Sequence, residues 1–157
     1  MELTSLISKE DTMSMWPCRD HDPSRPRLGR VLVVDDEEHI RRLMRLTLTK
    51  AGYDVIEAKD GAEAIETLNS GDNPLLVDVI LCDIRMPKIN GVEAIAYFRS
   101  QYPCVPIIVQ TGFPDLDVAI SLLKQGVSDY LVKPVDTDKL LEAVAKAIDQ
   151  RGLFAST

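Results

Sequence analysis

Long apolar runs are missing from this sequence of 157 residues: none approaches the roughly 20 residues that a membrane-spanning helix needs. The opening stretch MELTSLISKEDTM lacks a basic region followed by an apolar one, so it is not expected to be a secretion signal. Cysteine is scarce. Cys18, Cys82 and Cys104 are odd in number and lack metal-ligand spacing, so reduced thiols in the cytoplasm are expected, with no disulfide framework. A basic surplus is absent too. Residues 1–30 hold five basic and five acidic side chains, so the 13 basic and 20 acidic residues of 31–157 carry the whole net charge of −7. That balance argues against nonspecific nucleic-acid binding, which needs a basic surface. Finally, no glycine-rich loop follows VLVV (31–34), which argues against a dinucleotide or flavin cradle.

What is present suits one globular domain: 45% apolar and 27% charged residues, in a chain long enough to bury a core. Residues 1–28 stand apart. WPCRDHDPSRPRLG carries Pro17, Pro23 and Pro26 and no sustained period, the composition of a flexible extension. Leu3, Leu6 and Ile7 make one apolar turn, too short to be stable alone. The expected division is an extension over 1–28, a folded body over 29–151 and a short tail over 152–157.

Within the body, compact β-branched runs alternate with amphipathic segments. VLVV (31–34), VDVILC (77–82), PIIVQT (106–111) and YLV (130–132) read as strands covered on both faces, and YDVIE (53–57) as an edge strand. Helical faces are formed by Ile40, Leu43, Met44 and Leu48, with Gly52 as C-cap; by Ala62, Ile65 and Leu68; and by Ile95, Phe98 and Tyr102. Val118 and Leu122 make another, closed by Gly126, and Leu141, Val144, Ala145 and Ile148 the last. Five strands alternating with five helices predict an α/β fold: a doubly wound parallel sheet with helices on both faces. In such sheets the ligand site lies beyond the carboxyl ends of the strands.

The residues at those ends carry the chemistry. Asp35 and Asp36 follow the first strand, Asp83 the third, Thr111 and Gly112 the fourth, Lys133 and Pro134 the fifth. Singly, each has an ordinary explanation as a helix cap, a turn carboxylate, a packed threonine or a solvated lysine. Together they form one acidic rim whose mutual repulsion calls for a cation, and carboxylate oxygens with room for water suit Mg²⁺.

In order, VLVVDDEEHIRRLM (31–44), LCDIRMPKINGVEA (81–94), IIVQTG (107–112) and DYLVKP (129–134) make residues 30–150 resemble the receiver domain of two-component response regulators. The resemblance implies a flavodoxin- or CheY-like strand order, 2-1-3-4-5. It implies that Asp83 accepts a phosphoryl group from a histidine kinase or a histidine phosphotransfer protein, forming an acyl phosphate. By the same resemblance Asp36 and Asp83 ligate Mg²⁺ (or Mn²⁺) directly, Asp35 acts largely through water, and the backbone carbonyl of Arg85 completes the ligands. Lys133 offsets the charge of the transferring group, and Thr111 binds it once attached. Tyr130 couples Thr111 to the face formed by the fourth helix, fifth strand and fifth helix, the family's usual surface for homodimers or effector proteins. Met86, Pro87, Gly91, Gly112, Phe113 and Pro134 shape the pocket, with Lys133–Pro134 in cis. Arg85 and Phe113 lie where relatives vary the rate of dephosphorylation.

The expected product is a signalling domain rather than an enzyme, with Mg²⁺-dependent self-phosphorylation, slow autodephosphorylation and output through protein contacts. No direct nucleic-acid or membrane partner is expected. Because the sequence stops shortly after the fifth helix, a stand-alone receiver is the first expectation and a receiver cut from a longer regulator the second. An aspartate-nucleophile phosphatase is a third, weakened because such enzymes place a second acid two residues after the nucleophile, where Arg85 stands here.

Overall fold

The computed structural model describes the backbone of residues 28–84 and 91–156 and the side chains of 28–84 and 92–150. The expected extension up to Arg27, the expected metal ligand Arg85 and the expected pocket residues Met86 and Pro87 lie outside the described residues.

Five parallel strands form one sheet: β1 (Arg30–Val34), β2 (Asp54–Ala58), β3 (Val77–Asp83), β4 (Ile107–Thr111) and β5 (Asp129–Val132), in the order β2-β1-β3-β4-β5. The three central strands are buried almost throughout, as continuous apolar runs between two helical layers should be. Helices α1 (Glu38–Ala51) and α5 (Thr137–Ser156) cover one face, where Met44, Leu48, Leu140 and Val144 pack on Val31, Val33 and Leu81. Helices α2 (Gly61–Leu68), α3 (Gly91–Gln101) and α4 (Leu116–Lys124) cover the other, where Leu68, Ile95, Phe98 and Leu122 pack on Leu32, Ile80 and Ile107. This is the doubly wound architecture read from the sequence. Among the described residues, no helix is long and apolar enough to cross a membrane.

Local chemistry sets the helix ends. Gly52 adopts a left-handed conformation and its N–H closes α1 on the Leu48 and Thr49 carbonyls. Asp60 caps α2 by accepting the Glu63 N–H at 2.8 Å, and Glu63 accepts the Lys59 N–H in return at 2.7 Å. Gly91, expected to shape the pocket, opens α3.

Several expectations need correction. Leu43, assigned to the buried face of α1, is 61% exposed, and Ala62 and Ala145 are exposed as well. In α5 the buried stripe is Leu140, Ala143, Val144 and Ala147, so the true face is rotated from the one read off Leu141, Ala145 and Ile148, which takes the stripe's flank for its centre. The strand YLV is not covered on both faces: β5 is an edge, with Val132 exposed. A one-turn helix, Asn73–Leu76, precedes β3, started by Pro74 in its first turn. Helix α5 continues through 152–156, where a tail was expected. Cys82 is free and buried, but Cys104 is disulfide-bonded, against the expectation of reduced thiols; an odd count does not prevent one pair from forming.

Gly29 carries the tightest backbone constraint at the entry to β1. Its φ is +118°, and a Cβ built there would stand 2.6 Å from the Asp78 Oδ2 that accepts the Arg30 N–H. At Gly112 a Cβ meets nothing within 4 Å. Gly29→Ala is therefore expected to lower the unfolding free energy by more than about 1 kcal/mol, with Gly112→Ala close to neutral, as measured by urea denaturation. Equal losses at both positions would contradict this account of Gly29.

Candidate functional site

Three strand ends deliver the central cluster. Asp35 follows β1, Asp83 ends β3, and Lys133 follows β5. The Lys133 ammonium donates to Asp35 Oδ2 at 2.7 Å and to Asp83 Oδ2 at 3.0 Å, and its Nζ lies 3.5 Å from Glu37 Oε1. Asp35 has no exposed surface and Asp83 only 4%, while Asp36 beside them is exposed. The backbone holds the arrangement, as the Lys133 N–H donates to the Thr111 carbonyl at 2.8 Å; the Lys133–Pro134 bond is cis. Pro134 itself is exposed.

Burial dominates the electrostatics of Asp35 and pushes its carboxyl above the usual aspartate range. The Lys133 ammonium and the Glu37 N–H, which donates to Oδ1 at 2.9 Å, act against that rise, and the Asp83 charge adds to it. For Lys133, burial works to lower the ammonium's pKa, but the hydrogen bonds and charges of Asp35 and Asp83 prevail and hold it above the ordinary lysine value. One cation thus serves two buried carboxylates, with Asp36 adding a third negative charge at the rim.

Asp35, Asp36 and Asp83 each place one carboxylate oxygen within 4.8 Å of the others. Two of these three are buried, so they are not a solvated acidic patch. Hard oxygen donors, an excess of negative charge and an exposed side at Asp36 fit a divalent cation that keeps water ligands.

A second group lies along the β4–α4 connection. Thr111 is fully buried and its Oγ1 accepts the Phe113 N–H at 3.0 Å. Accepting there leaves the threonine O–H to donate. Half-buried Tyr130 accepts the Asp115 N–H at 3.3 Å on its hydroxyl. Asp115 also caps α4, accepting from the Asp117 and Val118 N–H groups. The Phe113 side chain is 65% exposed, and the space beside Gly112 is open.

The sequence reading did not single out Glu37, Arg41 or Gln110. Glu37 adds the third carboxylate near Lys133; its position within DDEE was the available signal. Arg41 donates to the Asp35 carbonyl at 2.8 Å and pairs with Glu57 of β2, tying α1 to the acidic loop. Gln110 is fully buried, its Nε2 being 3.5 Å from Asp35 Oδ2; a glutamine inside the run IIVQT was the signal for it.

Residues 31–145 match the family model described as "Response regulator receiver domain". The chain is 40% identical over 120 residues to the DNA-binding transcriptional regulator NtrC of Escherichia coli (strain K12), a match covering 76% of this chain and 25% of that protein. It therefore spans about a quarter of the length of the curated relatives it matches. Among solved structures, a response regulator receiver domain protein from Clostridium thermocellum superposes with a TM-score of 0.76 at 32% identity, covering 81% of this chain and 99% of the other. A CheY-like receiver domain protein from Methanospirillum hungatei JF-1 superposes with a TM-score of 0.75 at 27% identity, covering 81% and 98%.

The ion cluster makes a pH-dependent prediction. A lysine whose folded pKa is raised stabilises the fold below its unfolded value, and that contribution is lost as pH rises through the folded value. In divalent-free solution, Lys133→Met is expected to cost about 3 kcal/mol near neutrality. The gap from wild type should hold until about pH 10.4, the ordinary lysine value, and close above it. Urea denaturation across this range checks the claim; a gap that is constant at high pH would refute it.

Proposed function

We propose, for a chain that belongs to the response regulator receiver family, that Asp83 is the phospho-acceptor of its signalling site. The observation that carries this assignment is the joint grip of Lys133 on Asp35 and Asp83 at the carboxyl ends of the strands. A carboxylate oxygen of Asp83 attacks phosphorus of a phosphohistidine. The P–N bond breaks, its electron pair stays on the imidazole, and Asp83 becomes an acyl phosphate. The donor is a histidine kinase or a histidine phosphotransfer protein.

Asp36 and Asp83 would hold Mg²⁺ (or Mn²⁺), with Asp35 supporting from the buried side and the Arg85 carbonyl as a further ligand. When bound, the ion supplies charge neutralisation for the in-line transfer. The chain's own part is positional and electrostatic. Lys133 holds Asp83 in place and gives its charge to a phosphoryl oxygen. Thr111 turns its O–H toward the same group.

The switch follows from what the phosphoryl group changes. It gives Thr111 and Lys133 a partner they lack at rest, and only such a difference shifts a conformational equilibrium. The hydrogen bonds of Thr111 to Phe113 N–H and of Tyr130 to Asp115 N–H hold the two ends of the β4–α4 connection. Drawing Thr111 toward the phosphoryl group loosens the first, and Tyr130 then moves with α4. The exposed Leu116, Ile120, Leu123 and Val132 on α4 and β5 support this face as the surface for an effector protein or a second copy of the chain. The cytoplasm is the compartment in which such a relay would act.

The length of the curated relatives favours a further reading: this receiver belongs to a regulator with an attached output domain, as in the transcriptional regulator NtrC. The two readings share the phosphorylation chemistry and differ only in what the moving face contacts. Phosphatase turnover has no such support, and steady release of phosphate from small phosphoesters would be required to establish it.

Incubation with acetyl phosphate and Mg²⁺ is expected to add one phosphoryl mass to the wild type and none to Asp83→Asn; equal labelling of both would remove Asp83 from its role. Mg²⁺ should also raise the melting temperature, since a ligand at 100 times its Kd adds about 2.7 kcal/mol. Asp36→Asn should be at least as stable as wild type in chelator, because one repelling charge is gone, and should lose most of the Mg²⁺-dependent rise in calorimetry. A full rise in that variant would exclude Asp36 as a ligand.

A further inference from the structure

Gln110 carries a polar side chain that neither the sheet's backbone ladder nor the proposed phosphoryl transfer uses. It lies in β4, in register with Asp83 of β3 and Leu131 of β5, and has no exposed surface. Its Nε2 is 3.5 Å from Asp35 Oδ2 and 3.3 Å from the Met44 sulfur. Its Oε1 is buried without a hydrogen-bond partner among the described residues. Exchanging the amide oxygen and nitrogen would turn Oε1 toward the carboxylate, so repulsion fixes the orientation. A buried acceptor without a partner costs stability that methionine or leucine, similar in size, would not. What the amide contributes is its donor half, directed at Asp35.

We propose that Gln110 is a positioning residue of the switch: its amide N–H supports the buried Asp35 carboxylate so that Lys133 can turn from it to a phosphoryl oxygen. The inference rests on the receiver reading above. An ammonium has three N–H donors, and three carboxylate oxygens already surround Lys133 Nζ, on Asp35 at 2.7 Å, Asp83 at 3.0 Å and Glu37 at 3.5 Å. A phosphoryl oxygen is an additional acceptor, so some of these contacts must lengthen. Glu37 is half exposed, and water replaces what it loses. Asp35 is not exposed; its fallback donors are the Glu37 N–H on Oδ1 and Gln110 on Oδ2. The present 3.5 Å is long for a hydrogen bond, and withdrawal of the lysine lets carboxylate and amide close. With an apolar residue at 110, Oδ2 loses that second donor, and Lys133 is held more tightly in the resting arrangement.

The probe is beryllofluoride with Mg²⁺, which imitates the phosphoryl group, applied to the full chain as wild type, Gln110→Met and Gln110→Leu. Both variants are expected to melt no lower than wild type, since the orphaned acceptor is gone, yet to bind the probe about fivefold more weakly, the worth of one net hydrogen bond. The Gln110 side-chain amide signal in ¹⁵N NMR, assigned by its loss in Gln110→Met, should shift when wild type takes up the probe. Unchanged affinity in both variants, an unmoved amide signal, or weaker binding only in step with a lower melting temperature would each overturn the inference. Failure of wild type itself to take up beryllofluoride would instead overturn the receiver reading, and this inference with it.

Discussion

One lysine ammonium set between two buried carboxylates is the constraint on which the rest of the site depends. Lys133 meets Asp35 across 98 positions of sequence and Asp83 across 50. Those contacts exist only if β1, β3 and β5 run parallel with their carboxyl ends level. Burying such charges is expensive unless each finds a partner at hydrogen-bond distance. The fold meets that condition through backbone order: the Lys133 N–H is fixed to the Thr111 carbonyl, the Glu37 N–H to Asp35 Oδ1, and Arg41 to the Asp35 carbonyl. The sheet and the cluster therefore specify one another.

In the proposed switch, the same cluster would allow the resting state to be displaced. Lys133 is outnumbered by acids, whose hydrogen bonds and charges raise its pKa against the effect of burial. A cation at the rim, or the proposed phosphoryl group on Asp83, would change the count of charges competing for one ammonium. Because Thr111 and Lys133 are already linked through the backbone, a shift at either would be felt at the start of the β4–α4 connection. Its far end carries the Asp115 cap of α4 and the Tyr130 hydroxyl. By this proposed route a local electrostatic event would reach a helix whose outer face exposes Leu116, Ile120 and Leu123.

Most of the fold was legible in the sequence because parallel central strands leave a strong trace. VLVV, VDVILC and IIVQT are rich in apolar residues and covered on both faces, and the residues that follow them had to lie on one rim. The helices were legible as elements and less so as faces. In α5, apolar side chains at 140, 141, 143, 144, 147 and 148 span more than one stripe, and periodicity alone does not say which edge turns inward. The exposure of Leu43 and Leu46 on α1 depends on what the helix packs against, which no local pattern encodes. Gln110 was hidden for a related reason: a glutamine in a strand says nothing of whether its amide meets solvent or a buried carboxylate.

The opposite end of the sheet shows why charge clustering alone does not make a site. Arg30 donates to Asp54 at 2.6 Å, to Asp72 at 3.2 Å and to Asn73 at 2.8 Å, and its backbone N–H is accepted by Asp78. Arginine and aspartate meet there as closely as lysine and aspartate do beyond β5. The difference is solvent. The Asp54 and Asp72 side chains are 40% and 70% exposed, so water shares their charge and no added ion is needed to balance them. At the carboxyl end, Asp35 and Asp83 are sealed from water and share one ammonium. Under the proposed function, an incoming cation or phosphoryl group would meet charges there that water does not screen, and it is at that end, rather than at the better-solvated one, that binding would be coupled to a change of shape.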